Sequence, residues 1–119
     1  MLLSHMANES TDPITPVFGA LADPTRRAIL HALARGPRSV SELAADHDMA
    51  LPSFLKHIGK LEKSGLVTSD KQGRSRMCRL RPDGFAPAQT WLAQEQARWG
   101  GALDRLAMHL ETLEKGPKQ

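Results

Sequence analysis

The chain has 119 residues, 40% of them apolar, with sixteen bases against thirteen acids and a net charge of +3. That is one domain's length, and a domain of this size buries only about two-thirds of its unfolded surface, so a partner subunit would help. No apolar run approaches the ~18 residues of a membrane span, and the single cysteine, Cys78, excludes a disulfide framework and a CxxC or CxC metal knuckle.

Residues 1–12 are polar and patternless, and Ser4-His5-Met6 has the look of a cloning remnant. They are expected to be disordered and are set aside. The start lacks the basic and apolar regions of a secretory signal, and with one cysteine a reducing cytoplasm is the expected location. The domain is taken as 13–115. Ile14, Val17, Phe18 and Leu21 have helical spacing, which predicts a short amphipathic helix. Asp23-Pro24 opens a second helix, Asp as N-cap and Pro at the first helical position, with Ala28, Ile29, Ala32 and Leu33 as its buried stripe. Gly36-Pro37 ends it. Arg26 and Arg27 on its surface are expected in ion pairs.

Ser39-Val40-Ser41-Glu42 reads as a capping box, and the short helix it opens turns Val40, Leu43 and Ala44 inward. After a tight turn at 48–50 comes another helix, with Leu51, Phe54, Leu55, Ile58 and Leu61 as its stripe and Gly65 as its stop. Two short helices joined in this way form a helix-turn-helix. Residues 66–70 and 75–80 flank Lys71-Gln72-Gly73-Arg74 and read as a hairpin with a basic tip. A hairpin directly after a helix-turn-helix is a winged helix.

Past Pro87, from about 86 to 114, the chain reads as one long helix that Gly100-Gly101 should weaken or bend. Trp99, Leu103, Leu106, Leu110 and Leu113 are spaced 4, 3, 4, 3, a seam of the coiled-coil kind. Such a stripe packs on its own domain or pairs with a second chain, and the small core favours pairing. The fold class is therefore mainly α with a small β-hairpin, about five helices and a two-stranded wing.

Charge is unevenly placed. From Ala50 to Arg81 there are eight bases and two acids, net +6; elsewhere eight bases face eleven acids, net −3. A basic middle in a mildly acidic chain suits a polyanion, although a solvated Lys/Arg-rich surface has the same composition. On the second helix of the pair, Ser53, His57 and Lys60 share a polar face with Lys56 beside them. These are candidates for base edges or phosphates in a major groove. For His57 a hydrogen bond within the motif is the competing reading. Lys71, Arg74 and Arg76 on the hairpin are candidates for phosphates or the minor groove.

Phe18 to Leu30 (FGALADPTRRAIL), Ser39 to Ala44 (SVSELA) and Leu61 to Val67 (LEKSGLV) together resemble the ArsR/SmtB family of bacterial winged-helix repressors, over about residues 17–114. The ending, from Trp91-Leu92 through Trp99 to Leu106, is similar to a branch without obvious metal ligands. The resemblance implies a homodimer joined by the first and last helices, with Val17, Phe18, Trp99, Leu103, Leu106 and Leu110 at the interface. It also implies a helix from Leu51 to Ser64 in the major groove and release from double-stranded DNA by a small-molecule effector, here unidentified. Many relatives carry a serine where this chain has Leu55, so that hydroxyl contact does not carry over to this chain.

No metal and no cofactor is expected. Where some relatives have a CxC pair this chain has Ala44-Ala45-Asp46, and Asp104 and His109 diverge around their helix. Asp46-His47-Asp48 reads as a solvated turn. Cys78, without an activating neighbour, reads as a buried inert thiol. No catalytic motif appears, and three Phe, two Trp and no Tyr give few stacking platforms for single strands. The alternatives to a DNA-binding regulator are a winged-helix module docking an acidic protein and, further off, a metal-responsive sensor.

Overall fold

The computed structural model describes residues 12–115; the expectation of disorder over 1–11 lies outside them. The elements are α1 (Ile14–Leu21), α2 (Pro24–Leu33), β1 (Arg38–Ser39), α3 (Val40–Ala45), α4 (Leu51–Lys63), β2 (Val67–Gln72), β3 (Ser75–Leu80) and α5 (Ala86–Lys115). The described residues divide into two compact units, 12–88 and 89–115, with the boundary inside the first turn of α5.

Local chemistry accounts for the element starts. Asp12, grouped on sequence with the tail, accepts the N–H groups of Ile14 (2.9 Å) and Thr15 (3.1 Å) and the Thr15 hydroxyl, and so holds the first turn of α1. Those three bonds keep its carboxyl below the usual carboxylate value. Asp23 accepts the Arg26 N–H at 3.1 Å with Pro24 in the first helical positions. Ser39 and Glu42 form the reciprocal box, Glu42 N–H to Ser39 Oγ at 3.1 Å and Ser39 N–H to Glu42 Oε1 at 3.0 Å. Gly65 stops α4 with φ +82°, and Gly73 turns the hairpin with φ +62°, a region that L side chains avoid.

The two-stranded wing is the hairpin β2–β3, and the two residues of β1 extend it to a three-stranded sheet. β1 pairs antiparallel with β3 (Arg38 opposite Cys78, Ser39 opposite Met77), and β2 pairs with β3 from Val67–Leu80 to Gln72–Ser75. The hairpin strands run to Gln72, so Lys71 and Gln72 are strand residues and the turn is only Gly73-Arg74. Cys78 is fully buried, with Leu80 half-buried and packed against the core.

In the first unit Val17, Ala20, Ile29, Leu30, Leu33, Val40, Leu43, Phe54, Ile58, Leu61, Leu66, Val67, Cys78 and Ala88 are buried together. Several stripe residues depart from expectation. Val17, expected at a dimer interface, is 1% exposed and belongs to the protomer core, because α1 turns it inward beside Ala20. Ala28 is exposed and Leu30 takes its place inside. Leu51 and Leu55 are 54% and 44% exposed. At about 100° per residue, Phe54, Ile58 and Leu61 define the inward direction of α4, and Leu55 lies roughly a quarter-turn away from it. In the second unit α5 continues unbroken through Gly100-Gly101.

The turn after β3 sits on the end of α4. A Cβ built on Gly84 would lie 2.9 Å from the Gly65 carbonyl oxygen, 3.0 Å from Leu66 Cα and 3.2 Å from the Arg81 carbonyl oxygen. All three are backbone atoms that cannot swing aside. Gly84→Ala should therefore cost about 1–3 kcal/mol in urea unfolding, the usual range for overpacking; a change under about 0.5 kcal/mol would show that the turn yields freely.

Candidate nucleic-acid interface

α4 buries one face and offers the opposite one. Measured around the helix at about 100° per residue, Ser53, His57 and Lys60 fall within roughly 60° of one another, with Lys56 about 40° further round. Ser53, Lys56 and Lys60 are exposed. The N-cap Ala50 supplies no side-chain acceptor, so no capping group competes for the first-turn N–H groups.

His57 differs from its neighbours. Its side chain is only 21% exposed, its Nδ1 lies 3.0 Å from Arg26 Nη1, and Asp23 Oδ2 is 3.8 Å away. The structure thus places it within the motif, against α2, and not among the free polar groups. Burial pushes the Asp23 carboxyl up, but the Arg26 N–H, His57, the Thr25 N–H and the Arg26 charge together hold it below the usual value.

Arg26 itself is buried, at 9% exposure, and is not the surface ion-pair residue expected. Its Nε donates to the Ala20 carbonyl at 2.8 Å and its Nη2 to the Gly19 carbonyl at 3.0 Å, while Arg27 Nη1 donates to the Leu21 carbonyl at 2.7 Å. Adjacent arginines thus satisfy three successive carbonyls at the C-terminal end of α1, where a helix leaves acceptors without partners and favours positive charge. Sequence reasoning missed this role. The Asp-Pro-Thr-Arg run announces the start of α2 but not that its first turn faces the end of α1.

The wing divides its charges. Arg76 donates Nε to Ser69 Oγ (2.9 Å) and lies 3.5 Å from Glu62 Oε2, which also accepts from Ser69 Oγ at 2.8 Å. Arg76 is therefore engaged with the end of α4, although its side chain stays 54% exposed. Arg79 pairs with Asp70 at 3.2 Å. Among the described residues, no ion pair involves Lys56, Lys60, Lys71 or Arg74, and Lys71 and Arg74 are both exposed. With Lys63 in the last turn of α4, also exposed and in no ion pair among the described residues, five unpaired cations lie on α4 and the wing.

Among the described residues no group of three His, Cys, Asp or Glu could hold a metal, and no helix is long and apolar enough to cross a membrane. His47 packs on Phe54 with ring centroids 5.3 Å apart. On α5, Trp99, Leu103, Leu106 and Leu110 are 60%, 62%, 52% and 56% exposed, whereas Phe18 on α1 is half-buried against the core.

Helices α3 and α4 joined by a tight turn, followed by a hairpin with a basic tip, define a winged helix-turn-helix protein. Residues 21–70 match the helix-turn-helix domain family. The chain is similar to the HTH-type transcriptional regulator Rv2034 of Mycobacterium tuberculosis, 42% identical over 71 residues that make up 60% of this chain and 66% of that protein. A crystal structure of an ArsR family transcriptional regulator superposes with a TM-score of 0.71 at 52% identity, covering 75% of this chain and 98% of that one. The solution structure of a homodimeric winged helix-turn-helix DNA-binding domain from Mycobacterium bovis, a possible ArsR-family regulator by its description, matches with a TM-score of 0.59 at 27% identity. It covers 77% of this chain and 90% of that one. This chain belongs to the ArsR family of winged helix-turn-helix transcriptional regulators. It spans about two-thirds or less of the curated relatives it matches, 66% of Rv2034 among them.

Cys78 is fully buried in β3. Burial pushes its thiol up, the Glu62 charge pushes the same way, and Arg76 only partly offsets them. Thiolate forms only in alkali above the ordinary thiol range, so at pH 7–8 Ellman's reagent should label Cys78 negligibly in native protein and stoichiometrically in urea. Fast labelling of the native protein would show an opening at β3.

Proposed function

We propose that this chain is a sequence-specific double-stranded-DNA-binding repressor that acts in the cytoplasm as a homodimer, controls its own operon and is released by a small-molecule effector. The observation that carries the reading is the set of unpaired cations, Lys56, Lys60 and Lys63 on α4 and Lys71 and Arg74 on the adjoining wing. In this reading α4 enters the major groove. Ser53 and Lys56, nearer its N-terminal end, reach base edges, and Lys60 takes phosphate. Lys71 and Arg74 hold the flanking backbone, with Arg76 reaching phosphate only by leaving Glu62. His57 is assigned no DNA contact. Exposed Leu55 stands on the flank of the same helix, where a thymine methyl is a suitable neighbour.

The homodimer reading is supported by the homodimeric relative and by the exposed seam Trp99, Leu103, Leu106, Leu110 of α5. A row of this length exposed on a lone chain would invite association. Phe18 of α1 is assigned to the interface as well in this reading. Leu106→Glu should convert dimers to monomers by sedimentation velocity; a surviving dimer would move the interface elsewhere.

The central test is fluorescence anisotropy with the duplex upstream of the chain's own gene against a scrambled duplex, at near-physiological salt without added metal. A repressor binds the first tightly and the second weakly, and log K falls with log salt by about 0.9 per phosphate neutralised. Lys56→Ala should cost about 1–3 kcal/mol on the native duplex and relax selectivity. Arg74→Glu should weaken binding to every duplex and flatten the salt slope. Weak, equal binding to both duplexes, with selective capture of an acidic protein, would favour the interaction-module reading instead.

A further inference from the structure

The buried guanidinium of Arg26 touches three helices. From α2 it donates twice to the last turn of α1, at Gly19 and Ala20, and once across to His57 Nδ1 on α4 at 3.0 Å. A guanidinium has five donors, no acceptor and no accessible deprotonation. His57 Nδ1 must therefore present its lone pair to Arg26, which puts the ring hydrogen on Nε2. The groups facing the imidazole are Asp23 and Arg26 from α2, with Lys56 and Lys60 beside it on its own helix. The part of α1 reached through Arg26 offers only the neutral Gly19 and Ala20 carbonyls.

We propose that Arg26, acting through His57, is the positioning residue of the recognition helix, and that uptake of a proton at His57 releases that helix. The proposal rests on the DNA-binding reading above only for its consequence; the joint itself is a property of the free protein. A proton on Nδ1 would face Arg26 Nη1 across 3.0 Å, donor against donor and cation against cation, and that hydrogen bond is lost. Asp23 Oδ2 lies 3.8 Å away and accepts that proton, so the ring swings from the guanidinium to the carboxylate. Asp23 Oδ2 also holds the Arg26 N–H that caps α2, so the exchange disturbs both partners at once. Ser53, Lys56 and Lys60 are carried on the helix that moves.

The sign of the effect separates this device from simple electrostatics. The positioned state holds the neutral ring, so it binds fewer protons than the released state. Affinity for the selected duplex then falls as the pH drops and the ring takes up its proton. Added positive charge alone would strengthen binding to any duplex in acid.

The test has two arms, both on the full chain. In the first, long-range proton–nitrogen spectra of 15N-histidine protein without DNA read the ring at pH 8. The expected result is the Nε2–H tautomer, with amides of residues 19–22 and of α4 shifting at the same midpoint as the His57 ring on acidification. An Nδ1–H tautomer, or a titration felt nowhere beyond the ring, overturns the proposal. In the second, the probe is a duplex enriched from a randomised library by the wild-type protein at pH 8, beside its scramble. Between about pH 8 and 5.5, affinity for the enriched duplex should fall by about tenfold while the scramble binds no worse. His57→Asn places an amide oxygen where Nδ1 stood, accepts from Arg26 without titrating, and should flatten the profile. His57→Leu, with no acceptor, should show the weaker affinity at every pH while its amide spectrum stays folded. Binding to the enriched duplex that strengthens in acid would make His57 a phosphate contact and overturn the proposal. No enrichment by a protein whose spectra show the expected coupling would sink the DNA-binding reading and leave the joint standing.

Discussion

One buried cation organises the first unit. Taking a guanidinium out of water costs several kcal/mol unless its donors are met, so a chain that buries one must supply acceptors in fixed places. Arg26 finds them in two carbonyls at the end of α1 and in a ring nitrogen of α4. Those acceptors are of three kinds of consequence. The carbonyls stand at a helix terminus, where only Gly19 also accepts a backbone N–H, that of Ala22 at 3.3 Å, among the bonds described; the imidazole is fixed in one tautomer, and the N-cap carboxylate of Asp23 lies close enough to balance the charge. The angle at which α4 leaves the body therefore depends on polar geometry as well as on the apolar stripe of Phe54, Ile58 and Leu61. An apolar stripe alone tolerates rotation; a three-way donor does not.

The wing is held on the same principle. Glu62, in the last turns of α4, accepts from Ser69 and lies within ion-pair reach of Arg76, tying α4 to both long strands. Asp70 engages Arg79 across the hairpin. Both acids of the basic middle are thus spent on arginines, and the bases left over stand on the outer face of α4 and toward the hairpin tip. The charge that matters to a polyanion is this unpaired remainder, not the net +6 of the segment. Surface pairs of this kind contribute little stability, about 0–1 kcal/mol, so an arginine can exchange its carboxylate for a phosphate at small cost.

What the sequence disclosed and what it hid divide along the range of the interactions involved. The Asp23 cap, the Ser39–Glu42 box and the glycine stops at 65 and 73 join residues at most three apart or depend on one backbone angle, so they are written locally and were legible. The wing strands were legible because Gly73 and the flanking alternation bracket them. β1 was not: two residues have no periodicity, and their pairing with Met77 and Cys78 crosses almost forty positions. The burial of Arg26, the withdrawal of Val17 into the core and the exposure of Leu51 and Leu55 all depend on which element lies opposite, which spacing within one helix does not state. His57 illustrates the division most directly. Its place on the polar side of α4 follows from periodicity, but its engagement depends on α2, thirty-one residues away.

The same reasoning applies to α5. Thirty residues of helix extend about 45 Å, far more than a core of this size can cover. Beyond Ala88 the described residues of this helix are exposed or at most half-buried, and its polar contacts include local ones such as Trp99 to Glu95 and Arg98 to Glu95. Local contacts of that kind add only tenths of a kcal/mol each and do not by themselves sustain a helix that contains two adjacent glycines. Its apolar residues, however, return every 3.5 positions on average from Trp99 to Leu113, the period at which two helices keep a seam in register. A seam has meaning only against a second seam. In the homodimer proposed above, a copy of α5 would supply the stability that this helix lacks in its own sequence, and the paired glycines would then permit close approach or curvature where a larger residue would hold the helices apart.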